Sequence, residues 1–170
     1  SRIYTVTGCL SNGQCRSTTF SVEVSPLPKM LRIDGDTKFC PDTFSVLTAH
    51  AVDDSLISHY FWSTGENTQS IKVTDADSFS VHALSVYGCL SDTLSVVTSL
   101  YGTPVITFDG LREICQNSST EITAHGGTRY VWLGENIYTP EITITEPGDY
   151  TARVIDGNGC HSDSTIFIQD

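Results

Sequence analysis

Positive charge is scarce in this sequence: nine Lys plus Arg stand against twenty Asp plus Glu, for a formal net charge of −11. Proteins that bind nucleic acids or anionic membranes need clustered basic side chains that neutralise phosphates. Long apolar runs are missing too, and nothing approaches the roughly 20 residues of a membrane-spanning helix. The composition therefore argues against a nucleic-acid partner and against direct membrane insertion.

Motifs of catalysis are missing as well. The sequence contains no Gly-x-Ser-x-Gly, no His-Glu-x-x-His and no phosphate-binding glycine loop. Its six Cys include no Cys-x-x-Cys pair and no Cys-His cluster of the kind that binds zinc. We expect a protein that is not an enzyme and that has no cofactor.

Candidates for metal binding are few. Four acidic side chains from two loops could together supply oxygen ligands to calcium, although we favour solvated loops. They are Asp53, Asp54, Asp75 and Asp77. His50 and His125 lack a second ligand at metal-binding spacing, which favours strand-end or loop positions. Asp156-Gly157-Asn158-Gly159 resembles the start of a calcium loop but is also a strong hairpin turn, and we favour the turn.

What the sequence does contain is an internal repeat with a period of about 70 to 75 residues, which indicates tandem domains rather than one large fold. Each copy has the same landmarks in the same order. In the first copy they are Asp34-Gly35, Cys40, Thr48-Ala49-His50, Tyr60-x-Trp62, Phe79 and Gly88-Cys89; in the second they are Asp109-Gly110, Cys115, Thr123-Ala124-His125, Tyr130-x-Trp132, Tyr150 and Gly159-Cys160.

The first 25 residues match the last two strands of a third copy. Tyr4 aligns with Phe79, and Cys15 through Val24 aligns with Cys89 through Val97. An isolated two-stranded hairpin is marginally stable in water, so we expect the natural protein to extend upstream. The predicted domains are 1–25, 26–100 and 101–170, joined by short Pro-containing links that favour a semi-rigid rod.

Hydrophobic alternation predicts an all-β fold. Inward-facing residues are expected at every second position of several strands, and turn residues interrupt the chain every 8 to 12 residues. These positions include Ile71, Val73, Phe79, Val81 and Ala83 in the first copy and Ile142, Ile144, Ala152, Val154, Ile166 and Ile168 in the second. About six or seven short strands per copy, with a Trp between two Cys, predict tandem immunoglobulin-like antiparallel β-sandwiches.

The six Cys recur at repeat-matched positions, which predicts structural disulfides and an oxidising location. One bond per copy would join Cys40 to Cys89 and Cys115 to Cys160. The turn at Ser11-Asn12-Gly13 would then bring Cys9 opposite Cys15. In the alternative, Cys15 bonds a Cys upstream of this chain. Within each sandwich, Tyr60, Trp62, Tyr130 and Trp132 are the expected core landmarks.

Four segments carry a resemblance to a known family: Thr48-Ala49, Tyr60-Phe61-Trp62-Ser63-Thr64-Gly65, Thr68 through Val73, and Gly88-Cys89-Leu90-Ser91-Asp92-Thr93. They resemble the Ig-like, PKD-like repeats of large surface proteins of Bacteroidota, which include gliding-motility adhesins exported by the type IX secretion system. The second copy departs from this pattern at Trp132-Leu133-Gly134 and at Thr139-Pro140-Glu141.

The resemblance implies an extracellular, cell-surface adhesin segment. Its expected role is that of a spacer or stalk, with neighbouring repeats and a surface protein or glycan as partners. It also implies O-glycosylation where Asp precedes Ser or Thr and a small or aliphatic residue follows, at Ser55, Thr93 and Ser164, with the last two facing solvent. A carbohydrate-binding accessory module is the alternative, for which Tyr87, Tyr101 and Tyr138 are the exposed aromatic candidates.

Overall fold

The computed structural model describes residues 1–170 and is all-β, apart from one 3-10 helix at Asp54–Leu56. No helix in it is both long enough and apolar enough to cross a membrane. The strands are β1 (Arg2–Cys9), β2 (Cys15–Val22), β3 (Met30–Asp34), β4 (Lys38–Phe39), β5 (Ser45–Ala51), β6 (Ile57–Trp62), β7 (Ser70–Val73), β8 (Ser78–Ser85), β9 (Leu94–Val97), β10 (Ser99–Leu100), β11 (Thr107–Asp109), β12 (Thr120–His125), β13 (Arg129–Leu133), β14 (Glu141–Ile144), β15 (Gly148–Ile155) and β16 (His161–Ile168).

The two copies have the same sheet topology. The first contains the three-stranded sheets β3-β5-β7 and β6-β8-β9, and the second contains β11-β12-β14 and β13-β15-β16. In both copies a short parallel contact joins the segment before the first Cys to the end of the copy. It is a strand pair, β4 with β10, in the first copy and a single bridge, Glu113 with Gln169, in the second. The repeat seen in the sequence is therefore a repeat of strand order.

Alternating burial explains why these segments form strands. Successive side chains of a strand point to opposite faces, so an apolar residue at every second position covers one face. All the inward positions predicted for β7, β8, β14 and β16 are buried, as are Ala152 and Val154 of β15.

The core of the second copy lies between its two three-stranded sheets. Ile122, Ile142 and Ile144 come from one sheet, and they cluster with Trp132 and Ile168 of the other. The Trp132 ring is 1% exposed and lies 5.8 Å, centroid to centroid, from the ring of Phe108. In the first copy the equivalent landmarks Tyr60 and Trp62 are likewise buried.

The repeated Asp-Gly landmark has a steric cause. Gly110 has a φ of +124°, and a Cβ atom there would lie 2.3 Å from the carbonyl oxygen of Glu121 on the neighbouring strand β12. Gly35 has a φ of +139° and meets the carbonyl oxygen of Val46 at the same distance. Only glycine allows this close approach in this backbone region.

By its internal contacts the chain divides into two compact units, each assembled from several segments. The first comprises Ser1–Arg32, Ala49–Gln69 and Ser80–Leu94, and the second comprises Ile33–Thr48, Ser70–Phe79 and Ser95–Asp170. The second unit contains all of the second copy together with three segments of the first, residues 33–48, 70–79 and 95–100. The domain boundaries proposed from the sequence stay a prediction.

The hairpin of β1 and β2 lies in the first unit and is exposed along its whole length. Tyr4 pairs with Phe20, and their rings stack at 5.6 Å. Val6 and Val22 lie on the same face as these rings and are also exposed. This face corresponds to the buried faces of β8 and β15.

Candidate functional site

The aspartates considered for calcium do not form a metal site. No group of three or more His, Cys, Asp or Glu side chains is arranged to hold a metal ion. Asp53 caps the 3-10 helix by accepting from the backbone N–H of Ser55 at 3.0 Å. Asp75 accepts from the Thr74 hydroxyl, and Asp77 accepts from its neighbour's backbone N–H.

Asp54 belongs instead to a hydrogen-bond network within the first unit. Its carboxylate accepts from the Tyr60 hydroxyl at 2.5 Å and from the Ala51 N–H at 2.7 Å, and it lies 3.3 Å from Nδ1 of His50. Burial alone would raise the pKa of Asp54, but the bonds from Tyr60, Ala51 and His50 outweigh it and lower the pKa. The network fixes the Tyr60 landmark.

Of the three cysteine pairs predicted from the sequence, only Cys9 with Cys15 is confirmed. Cys9 is bonded to Cys15, but Cys40 is bonded to Cys160, which joins the first copy to the second. Cys89 is half-buried and free, and Cys115 is exposed and free. The expectation of one disulfide within each sandwich, Cys40 with Cys89 and Cys115 with Cys160, was therefore wrong.

The second copy shows why its two cysteines cannot bond each other. Ile114 donates its N–H to the carbonyl oxygen of Gln169, so Cys115 lies beside the end of β16. Cys160 directly precedes the start of β16, which is eight residues long. Eight residues of strand span about 26 Å at 3.3 Å each, whereas disulfide-bonded Cα atoms lie within about 7 Å of each other. The repeat puts Cys40 and Cys89 at the equivalent positions.

The first cysteine of each copy sits in a turn of the same geometry. The Thr43 N–H donates to the Cys40 carbonyl at 3.3 Å, and the Thr43 hydroxyl donates to the same oxygen at 2.6 Å. Ser118 makes the same two bonds to the Cys115 carbonyl, at 2.9 and 2.6 Å. The third residue of each turn has a φ of +62°, which is the type II pattern. We call these two turns the leading-cysteine turns.

The second cysteine of each copy also sits in matching turns, which we call the Gly-Cys turns. Cys160 donates its N–H to the Asp156 carboxylate at 2.9 Å and accepts from the Asp156 N–H at 2.9 Å. Cys89 does the same with Ser85, at 3.1 and 2.9 Å. Asp156 thus closes a hairpin turn, as we favoured over a calcium loop.

The hairpin of residues 1–25 carries a third such turn, in which the alignment predicted from the sequence is wrong by one residue. Leu10 donates its N–H to the carbonyl of Gln14 at 2.7 Å, as Ser85 does to Cys89. Gln14 therefore occupies the Gly-Cys position, and Cys15 lies one residue further along, opposite Cys9 in the register. Cys15 is bonded to Cys9 across the hairpin.

The glycosylation candidates differ in exposure. Ser55 and Thr93 are exposed, and the Ser55 hydroxyl donates to Asp53 at 2.6 Å. Ser164 is half-buried, pairs with buried Ala152 and lies on the same face as Ile166. The expectation that Ser164 faces solvent was wrong, because β16 alternates through residue 164 in phase with its apolar positions.

Aromatic side chains also reach the surface. Tyr87 and Tyr138 are 60% and 70% exposed, and the Nζ of Lys38 lies 4.6 Å from the ring centroid of Tyr101. Phe61 was not among the exposed aromatic candidates predicted from the sequence, yet its ring stacks on His82 at 5.4 Å and on His59 at 6.2 Å. Its position between two buried landmarks was the available signal, because alternation directs the middle residue outward.

No known protein-family model matches the chain, and no curated protein does. Among solved structures, it is similar to three N-terminal domains of the Hoc outer capsid protein of bacteriophage RB49, with a TM-score of 0.45 and 18% identity over 84% of this chain and 59% of that one. It is also similar to an amphioxus IgVJ-C2 molecule, with a TM-score of 0.36 and 14% identity over 78% of this chain and 99% of that one. A third similar structure, of fibronectin(III)-like modules of Clostridium thermocellum CbhA, has a TM-score of 0.35 and 13% identity over 81% of this chain and 94% of that one. Likenesses this weak carry no argument about function.

Proposed function

We propose that this chain is a non-enzymatic repeat segment of an extracellular surface adhesin, in which it acts as a spacer. The observation that carries the proposal is the Cys40–Cys160 disulfide, which joins one copy to the next. Disulfides are typical of proteins in oxidising, extracellular environments. The resemblance to gliding-motility adhesins supports the finer assignment to a cell-surface stalk.

A spacer has to keep its length when it is pulled, and the disulfide bears on this directly. Its two cysteines are 120 residues apart in sequence. Tension applied at residues 1 and 170 passes from Cys40 to Cys160 through the covalent bond, so the intervening residues are bypassed. If a copy unfolds under tension, its residues between Cys40 and Cys160 therefore add nothing to the length of the spacer.

Single-molecule stretching between the two termini tests the proposal. At about 3.3 to 3.6 Å per extended residue, the bypassed segment holds back roughly 400 Å of contour length. We expect the oxidised chain to stop short of full extension by this amount, and a reducing agent to release it. Cys40→Ser should release the same length without reductant, whereas Cys115→Ser, in the matching turn, should not. Full extension of the oxidised chain would remove the spacer mechanism.

A carbohydrate-binding module is the second candidate, supported by the surface stack of His59, Phe61 and His82. Aromatic faces on a strand surface can stack on sugar rings. Saturable binding on a glycan array that Phe61→Ala abolishes, with Tyr138→Ala as the matched control, would favour this function over a pure spacer. We expect no saturable binding.

A further inference from the structure

We propose that Cys115 is a covalent docking site for the Gly-Cys turn of a further copy of this repeat. The inference rests on the proposed spacer function and extends it from one bond to a series. In such a series, the leading cysteine of each copy would bond the Gly-Cys cysteine of the next copy, as Cys40 bonds Cys160.

The two leading-cysteine turns have the same hydrogen bonds and the same left-handed residue. Cys115 is held by the same pair of hydrogen bonds as Cys40, one from a backbone N–H and one from a hydroxyl three residues on. Both turns have a left-handed third residue, Asp42 in one and Asn117 in the other. Since the Cys40 turn presents its sulfur to a Gly-Cys turn, the Cys115 turn presents its sulfur in the same local geometry.

The chain leaves both copies beside their leading-cysteine turns. After β10 the chain leaves the first copy beside the Cys40 turn, where the Tyr101 N–H donates to the Phe39 carbonyl at 2.9 Å. In the second copy Gln169 lies beside Ile114 in the same way. A further copy joined after Asp170 would therefore start beside Cys115, as the second copy starts beside Cys40.

The surface at Cys115 has room for such a turn. Cys115 is exposed, and it lines an open hollow of about 930 Å³ together with Ile114, Asn117, Pro147 and Asp170. The hollow lies at the end of the second copy at which the chain leaves it.

The other free thiol, Cys89, lies in the complementary type of turn. Cys89 sits in a Gly-Cys turn that matches the turn of Cys160, which is bonded to a leading cysteine. By the same rule, its partner would be the leading cysteine of a preceding copy. Both free cysteines thus occupy positions at which the equivalent residue of the other copy is bonded.

Formation of the disulfide at Cys115 requires an oxidant, and we propose a thiol oxidoreductase in its disulfide form. The thiols of Cys115 and of the incoming cysteine lose two protons and two electrons as their sulfur–sulfur bond forms. The disulfide of the oxidoreductase takes up the two protons and two electrons and becomes a dithiol. Cys115 first forms a mixed disulfide with the enzyme, and the incoming thiolate then attacks the Cys115 sulfur and displaces the thiolate of the enzyme. Because Cys115 is exposed, neither step requires the fold to open.

The test is a chain in which residues 101–170 are repeated once more after Asp170, produced in an oxidising compartment. Non-reducing peptide mapping should find Cys115 linked to the Gly-Cys cysteine of the added copy. In the 170-residue chain, Cys115 should react fully with an alkylating reagent under native conditions, and in the extended chain its labelling should disappear.

Cys115→Ser in the extended chain is the matched control, and it should leave the added Gly-Cys cysteine free to be alkylated. A fully alkylated Cys115 in the extended chain, or a bond between Cys115 and Cys89, would overturn the proposal. If the extended chain does not fold, peptide mapping of the protein from its natural source decides, because a free Cys115 there has the same meaning. The stretching experiment on the 170-residue chain depends on the Cys40–Cys160 bond and not on any bond to Cys115, so the two proposals can fail separately.

Discussion

The two copies have the same strand order but differ in how the indole N–H of their buried tryptophan is hydrogen-bonded. In the first copy, the Trp62 indole N–H donates to the carbonyl of Thr68 at 2.9 Å. In the second, the indole nitrogen of Trp132 is buried without a hydrogen-bond partner. The segment after the tryptophan is one residue longer in the second copy. The N–H of Ala49 donates to Gln69, seven residues after Trp62, whereas the N–H of the equivalent Ala124 donates to Pro140, eight residues after Trp132. Equivalent residues therefore contribute differently to stability.

We expect the largest difference in stability between the copies when the cysteine of each leading-cysteine turn is replaced by serine. In the chain-entropy model, a crosslink over a loop of this size stabilises a protein by about 5 kcal/mol. Cys40→Ser should therefore lower the free energy of unfolding in urea by an amount of that order. Cys115→Ser, in the same type of turn but with a free thiol, should leave it nearly unchanged. Equal effects would mean that the pairing differs from the one described.

Replacement of each tryptophan by phenylalanine isolates the indole N–H. Trp62→Phe removes a hydrogen bond and leaves a carbonyl without its partner, whereas Trp132→Phe removes a donor that has none. We expect Trp62→Phe to cost more by about 1 to 2 kcal/mol. Urea denaturation of both variants measures the difference, and a larger loss for Trp132→Phe would contradict the assignment.

Acid sensitivity should show the smallest difference between the copies. The hydrogen bond from Arg153, at 2.7 Å, lowers the pKa of Asp163 on the second copy, as the network around Tyr60 lowers the pKa of Asp54 on the first. A carboxyl whose folded pKa is lowered adds stability above its ordinary pKa of 3.8, and this stability is lost as the pH falls towards the folded pKa.

Asp163→Asn and Asp54→Asn should each flatten the fall in stability below pH 3.8. Thermal unfolding between acidic and neutral pH measures this slope. An unchanged slope in both variants would show that neither carboxyl is linked to folding.

The sequence predicted the strands well because their signal is local. Residues such as Val81, Ala152 and Ile168 alternate with polar neighbours, and a period of two is sufficient to identify the buried face. The pairing of Cys40 with Cys160 is not local, since repeat matching identifies equivalent cysteines but not the strand end at which each one lies. Ser164 was misplaced for a related reason: the spacing between the Gly-Cys turn and the apolar positions differs by one residue between the copies.

The long disulfide loop also bears on proteolysis. Exposed loop tips are preferred sites of cleavage, and the exposed turn after Trp62 lies between Cys40 and Cys160 in sequence. A protease that cuts the backbone there leaves both fragments joined through sulfur. A single cut therefore cannot shed what lies beyond it, and release of the distal part requires a reductant as well as a protease.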